Sequence, residues 1–235
     1  MKSFKSHISE RSKDLKEFGI YEAQNMQEVM EVLSKANDNN MLKVLGAGVY
    51  SMAVQGQQGK LVVKIPKKQT TGKYYGEYED PWIYFAQIAQ KKAFSNPHYP
   101  RIGFLNSFMH LPEKGFVAVL EQLQFGYESS LRAKELLRAD EWFDPPPSAI
   151  ASDFSRHGLA NIVYQFVREI QERPIKSDYY EKFFEIFTGK EGEQWKEIFQ
   201  DIAALMLSGG YALDIHSNNI AVRNNKQVVI VDPLS

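Results

Sequence analysis

Cysteine is missing from all 235 residues of the chain. That rules out a disulfide framework, cysteine-ligated zinc and a cysteine nucleophile here, and it fits a reducing compartment. Long apolar runs are missing too: no stretch approaches the roughly 18 apolar residues of a spanning helix. The opening Met1-Lys2-Ser3-Phe4-Lys5-Ser6-His7 lacks the apolar centre of a secretory signal. Neither sign of charge dominates. With 28 Lys+Arg against 29 Asp+Glu and a pI near 6.5, electrostatics make no case for nucleic acid or an anionic membrane as partner. The five histidines are scattered without metal-ligand spacing, and no solenoid-type repeat occurs. The expectation is a cytoplasmic protein with neither a nucleic-acid nor a membrane partner.

What is present is ordinary globular material, 43 % hydrophobic and 24 % charged, long enough for one bilobal unit or two small domains. After a polar stretch at 9–19, Met26, Val29, Met30 and Leu33 recur at helical spacing. They predict a helix over about 24–36, ended by the turn-rich Ala36-Asn37-Asp38-Asn39-Asn40. Met41 to Leu45 reads as a short strand, and Gly46-Ala47-Gly48-Val49-Tyr50-Ser51 follows it. Glycines let a backbone approach phosphate oxygens with its N–H groups aimed at them, though alone the segment is equally a hairpin turn.

Gln55 to Gly59 makes the next turn, and Leu61-Val62-Val63-Lys64-Ile65 is an apolar strand interrupted by one lysine. Such a lysine costs desolvation unless it is paired or reaches a ligand. It is either an edge-strand residue in solvent or a contact for nucleotide phosphates. Asp80-Pro81 opens a helix through about Phe94, with Trp82, Phe85, Ala86 and Ala89 on one face. Strands follow at Ile102 to Phe108 and Gly115 to Leu123. Leu120-Glu121-Gln122-Leu123 then serves either as a hinge whose backbone holds adenine or as a plain connection.

From Glu128 onward the period is helical. Candidates are Ser130 to Ala139, the stripe Leu159, Ile162, Val163, Phe166, Val167 and Ile170, then Tyr179 to Phe187, and a helix through Trp195 and Phe199 to Ser208, where Gly209-Gly210 stop it. Asp144-Pro145-Pro146-Pro147 is neither helix nor central strand. The aromatics in these helices read as core.

Close to the last residues comes Leu213-Asp214-Ile215-His216-Ser217-Asn218-Asn219-Ile220, then Val228-Val229-Ile230-Val231-Asp232. Five positions separate Asp214 from Asn219 and thirteen separate Asn219 from Asp232. A carboxylate can accept the proton of a hydroxyl, and an amide oxygen with a second carboxylate supplies hard ligands that suit magnesium between phosphates. The blander alternatives are a helix-exit turn for Asp214, a left-handed turn for Asn218-Asn219, and a structural His216 that orients the loop.

These spacings match the catalytic aspartate, catalytic-loop asparagine and metal-binding aspartate of kinase-type phosphotransferases, in order behind a glycine loop and a strand lysine. With Val62-Val63-Lys64 and Asp232-Pro233-Leu234-Ser235, the set resembles the early Ser/Thr protein kinase of autographivirus phages, over about 41–235. The Asp-x-His-x-x-Asn form is also similar to aminoglycoside phosphotransferases.

The resemblance implies an α+β, protein-kinase-like bilobal fold. An N-terminal helical extension (1–40) would precede a β-rich N-lobe (41–123) and a truncated, mainly helical C-lobe (124–235). It further implies ATP and magnesium as cofactors and phosphoryl transfer to Ser/Thr of host proteins in a bacterial cytoplasm. Asp214 would be the base, and Asn219 and Asp232 the metal ligands. Lys64, Gly46, Gly48 and Ser51 would meet the phosphates, with Ser51 where a third glycine is frequent, and Glu121 and Leu123 would line the adenine hinge.

Three departures stand against it. The helix after Lys64 offers Gln87 where a glutamate is expected, with Glu77 and Glu79 lying before its proline. Leu213 replaces the arginine that often precedes the catalytic aspartate. The chain stops three residues after Asp232, so no activation segment is expected. The alternatives are a nucleotide-dependent pseudokinase and a small-molecule kinase.

Overall fold

Asn25 caps the first helix of this protein in a computed structural model, which describes residues 19–38, 42–47, 51–56, 61–66, 80–108, 110–111, 115–143, 155–173 and 177–235. Its Oδ1 accepts from the amide of Glu28 at 2.9 Å, while the Glu28 carboxylate reaches back to the amide of Gln24 at 2.6 Å. This reciprocal arrangement satisfies donors that a helix start leaves open. Helix α1 (Met26–Asp38) buries Met26, Val29, Val32 and Leu33.

They pack with Ile20 and Ala23 against Val54, Val63, Ile65, Phe108, Val117 and Val119 of a sheet. Each such side chain, fully buried, contributes about 1.5–3 kcal/mol. The α1 helix therefore shares its core with the strands that follow.

Those strands are β1 (Leu42–Ala47), β2 (Ser51–Gly56), β3 (Leu61–Pro66), β4 (Ile102–Ser107) and β5 (Phe116–Glu121). All pairings are antiparallel, in the order β1-β2-β3-β5-β4. The chain divides into two units, one comprising 1–83 with 101–122 and the other 84–100 with 123–235. The sheet belongs to the first.

Helix α2 (Trp82–Lys92) separates β3 from β4 in the chain; the Asp80 carboxylate caps it by accepting from the Trp82 amide at 3.0 Å. The chain order is therefore strand, strand, lysine strand, helix, strand, strand.

Among its described residues the second unit is mainly helical, with one two-stranded hairpin. It holds α3 (Tyr127–Leu136), α4 (Ala139–Trp142), α5 (Ala160–Ile170), α6 (Asp178–Ile186) and α7 (Gly189–Gly209). The hairpin is β6 (Ile220–Arg223) with β7 (Gln227–Ile230). The expected helix over 130–139 is instead two, because Arg138 adopts a left-handed conformation (φ 51°) between them.

Helix α7 begins at Gly189, earlier than the apolar stripe indicates. Gly192 permits this, since a Cβ there would strike the carbonyl oxygen of Phe187. The helix stops where expected, with Gly210 at φ 68°. Phe183, Trp195 and Phe199 are buried against one another, Trp195 and Phe199 stacking at 5.3 Å, so these aromatics form core. Among the described residues no helix is long and apolar enough to cross a membrane.

The hairpin is fixed from two sides. Arg223, buried in β6, donates to the carbonyls of Pro97 (2.7 Å) and Tyr99 (2.9 Å), and the Ile230 amide donates to the His98 carbonyl at 3.0 Å. The same segment is tied to α7: Tyr99 Oη donates to Asp201, which also pairs with Lys92 at 2.6 Å, and Asn96 donates to Glu197 at 2.9 Å. The hairpin following Asn219 is therefore braced against the longest helix of the unit.

Candidate active site

In the first unit, Lys64 sits on β3 between β2 and β5, opposite Ala53 and Ala118. It is 8 % exposed. A central-strand, buried lysine removes the reading of an edge residue in solvent. Its Nζ lies 4.1 Å from the centroid of the Trp82 ring, in cation–π geometry.

Trp82 is itself fully buried beside Phe116, with centroids 5.2 Å apart. Ser51 is the first residue of β2 and is buried, while Gly46 pairs with Ala53 just past a register shift in β1. Gly48 lies outside the described residues, as do Glu77 and Glu79. Glu121 ends β5, its carboxylate accepting from the Arg101 amide at 2.9 Å and its own amide donating to the Arg101 carbonyl at 3.0 Å.

In the second unit, Leu123 is buried with Ala221 and Val229. The chain there brings Asp214, His216 and Asn219 together. Asn219 Nδ2 lies 2.7 Å from the Asp214 carbonyl oxygen and 3.1 Å from Asp214 Oδ2. A carbonyl can only accept, so the amide nitrogen must face Asp214. The Asn219 Oδ1 is then the atom that these bonds leave for a cation.

His216 opens the short 3₁₀ turn Ser217–Asn219, and its Nδ1 accepts from the Asn218 amide at 3.2 Å. Its Nε2 lies 3.4 Å from Asp214 Oδ1 and 3.1 Å from Asn219 Nδ2. The Asn219 amide and the His216 ring thus both adjoin one carboxylate whose side chain is 42 % exposed.

Asp232 follows β7. The residue before it, Val231, donates its amide to the Asn219 carbonyl at 2.9 Å, and the residue after it, Pro233, accepts from the Asp214 amide at 2.7 Å. Ala212 and Ser235 exchange two backbone bonds of 3.0 Å, and Leu213 bridges to Leu234. Residues 212–214 and 233–235 thus run as a short antiparallel pair. This pairing adds to the β6–β7 hairpin in placing Asp232; it involves a proline and is non-local, so no period marks it.

A cavity of about 230 Å³ adjoins Asp214, lined by Leu213, Asp214, Ile215 and His216 with Ala160 and Tyr164 of α5. Tyr164 was not foreseen. It stands on the helix whose apolar stripe signalled only core, and it remains 48 % exposed. Trp82 was foreseen as a face residue, without its contact to Lys64. Among the described residues no cluster of three or more His, Asp or Glu could hold a metal alone. An amide and one carboxylate fit magnesium, which takes one or two protein ligands and fills its shell with phosphate oxygens and water.

No protein-family model matches the chain, and no curated protein does. Solved structures do. One is described as the streptomycin-ATP-APH(2″)-IIa ternary complex, at 15 % identity and a TM-score of 0.34, covering 91 % of this chain and 73 % of that one. At that score the functional reading rests on the chain's own side chains.

Proposed function

We propose that the protein is an ATP- and magnesium-dependent kinase that phosphorylates serine or threonine in proteins. The observation that carries this reading is the joint fixing of Asp214, Asn219 and Asp232, by the Asn219–Asp214 side-chain bond and by the backbone bonds on either side of Asp232. In this reading Asp214 takes the proton of the acceptor hydroxyl, while Asn219 Nδ2 and His216 Nε2 hold the carboxylate in place. Asn219 Oδ1 and Asp232 would hold magnesium, which when bound neutralises charge on phosphate oxygens. Lys64 contacts the phosphates, and Gly46, Gly48 and Ser51 cover them. The backbone at Glu121 and Leu123 receives adenine.

The cavity at Asp214 supports a protein acceptor over a multi-ring sugar. Its volume is below the roughly 300–1,000 Å³ of pockets that enclose drug-sized ligands. Among the described residues that line it, the one carboxylate is Asp214 itself, whereas a polycationic aminosugar needs several. The resemblance to phage early kinases extends the reading to host proteins, phosphorylated in the bacterial cytoplasm.

Phosphoproteomics of a bacterial lysate treated with the protein, or with Asp214→Asn, tests it. New phosphoserine and phosphothreonine sites with the wild type alone are expected. ATP-induced thermal stabilisation without any new site would make it a nucleotide-binding pseudokinase, and ATP consumption dependent on an added aminoglycoside would make it a small-molecule kinase.

A further inference from the structure

We propose that Trp82 is a positioning residue for Lys64, holding the ammonium by the face of its indole ring so that it meets the nucleotide phosphates. The part concerning phosphates rests on the reading of Lys64 given above; the contact itself does not.

Several observations converge. Lys64 Nζ is 4.1 Å from the ring centroid, well inside the roughly 6 Å reach of a cation–π contact. Both residues are buried, and desolvation strengthens such a contact over its value in water. Lys64 is on a strand paired on both sides, and Trp82 is fixed at the start of α2 by the Asp80 cap and by Phe116, so neither backbone is free to drift.

The chemistry differs from that of a carboxylate partner. An aromatic face attracts the charge without accepting a directed hydrogen bond, so the ring can orient Lys64 without itself occupying an N–H group. Helix α2 then influences nucleotide binding through the ring at its first position, whether or not a carboxylate elsewhere also meets the lysine.

The test replaces Trp82 site-specifically by 5-fluoro- and then more heavily fluorinated tryptophan. Fluorination drains the negative face of the ring while leaving its shape nearly unchanged, so the buried site stays filled. Two quantities are read: ATP affinity in the presence of magnesium, and the rate at which acetic anhydride acylates Lys64, mapped by mass spectrometry. The proposal predicts that affinity falls stepwise with fluorine content, about fivefold in total for a contact of ordinary strength. It also predicts faster acylation as the ring releases the side chain, with the melting temperature held. Lys64→Met separates the two claims. If that variant keeps full ATP affinity, Lys64 is not the phosphate contact, and the acylation series alone decides whether Trp82 positions it. An acylation rate and ATP affinity that are both indifferent to fluorination would overturn the proposal.

Discussion

The backbone amide of Asp214 donates to the carbonyl of Pro233 at 2.7 Å, so the proposed base and the residue beside the proposed metal ligand are joined directly. With Val231 bonded to Asn219 on the other side, Asp232 sits between two anchors, each attached to a residue that the mechanism uses. Asp232→Asn should therefore keep the fold and lose the magnesium-dependent part of ATP binding. Thermal shift with ATP, with and without magnesium, measures this; a full magnesium effect in the variant would remove Asp232 from the ligand set.

His216 acts locally through two nitrogens, Nδ1 on the Asn218 amide and Nε2 facing Asp214. Asparagine can still accept from that amide, whereas alanine cannot. His216→Asn should cost a few tenths of a kcal/mol in stability and His216→Ala about 1 kcal/mol. Both should lower kcat by less than Asp214→Asn does, because the carboxylate keeps its bond from Asn219. Urea unfolding and single-turnover kinetics on the two variants check the order.

Asp201 receives Tyr99 Oη and the Lys92 ammonium, at the point where the segment beneath the hairpin meets α7. Burial and the Asp201 carboxylate push the Tyr99 hydroxyl well above the usual tyrosine range, so it stays protonated and needs an acceptor. Asp201→Ala leaves it without that acceptor and should destabilise by about 1–3 kcal/mol. Chemical denaturation measures the loss. Asp201→Asn, which retains an acceptor oxygen, should recover part of it.

His98 gives the protein a pH dependence. Its ring stacks on Trp195 at 3.6 Å, and Nδ1 donates to the Val228 carbonyl at 3.0 Å. Burial, opposed by that hydrogen bond and reinforced by Arg223, lowers its pKa from 6.5 to about 4. The unfolded chain thus binds the proton first. Stability from this group is full above about pH 6.5 and is lost as pH falls towards about 4, amounting to about 3 kcal/mol by then. His98→Gln should show a shallower loss of unfolding free energy between pH 7 and pH 4 than the wild type.

Much of this was legible because the informative residues lie in regular elements. A lysine amid Leu61, Val62, Val63 and Ile65 stands out against period-two burial, and the five-strand order with one helix inserted follows from the spacing of apolar runs. Asp214, His216 and Asn219 lie within six residues, so one turn brings them together.

What escaped depends on non-local packing. Nothing local marks Arg138 as left-handed. The π-helical turn Ser155–Leu159 carries Gly158 against the rings of Trp142 and Phe143, where a Cβ would overlap them. The glycines at 189 and 192 lie outside the apolar stripe, yet one of them opens α7 and the other lets it pass the Phe187 carbonyl. The Trp82–Lys64 contact and the pairing of 212–214 with 233–235 join segments whose sequences give no sign of each other.

Asp214 is proposed as the base of a phosphoryl transfer. Its most direct test is single-turnover transfer of labelled γ-phosphate from ATP, with magnesium, to protein in a bacterial lysate by wild type and Asp214→Asn at equal melting temperature. A drop of about 10²–10⁴-fold is expected in the variant, with ATP affinity retained. Equal transfer by the two proteins would contradict it.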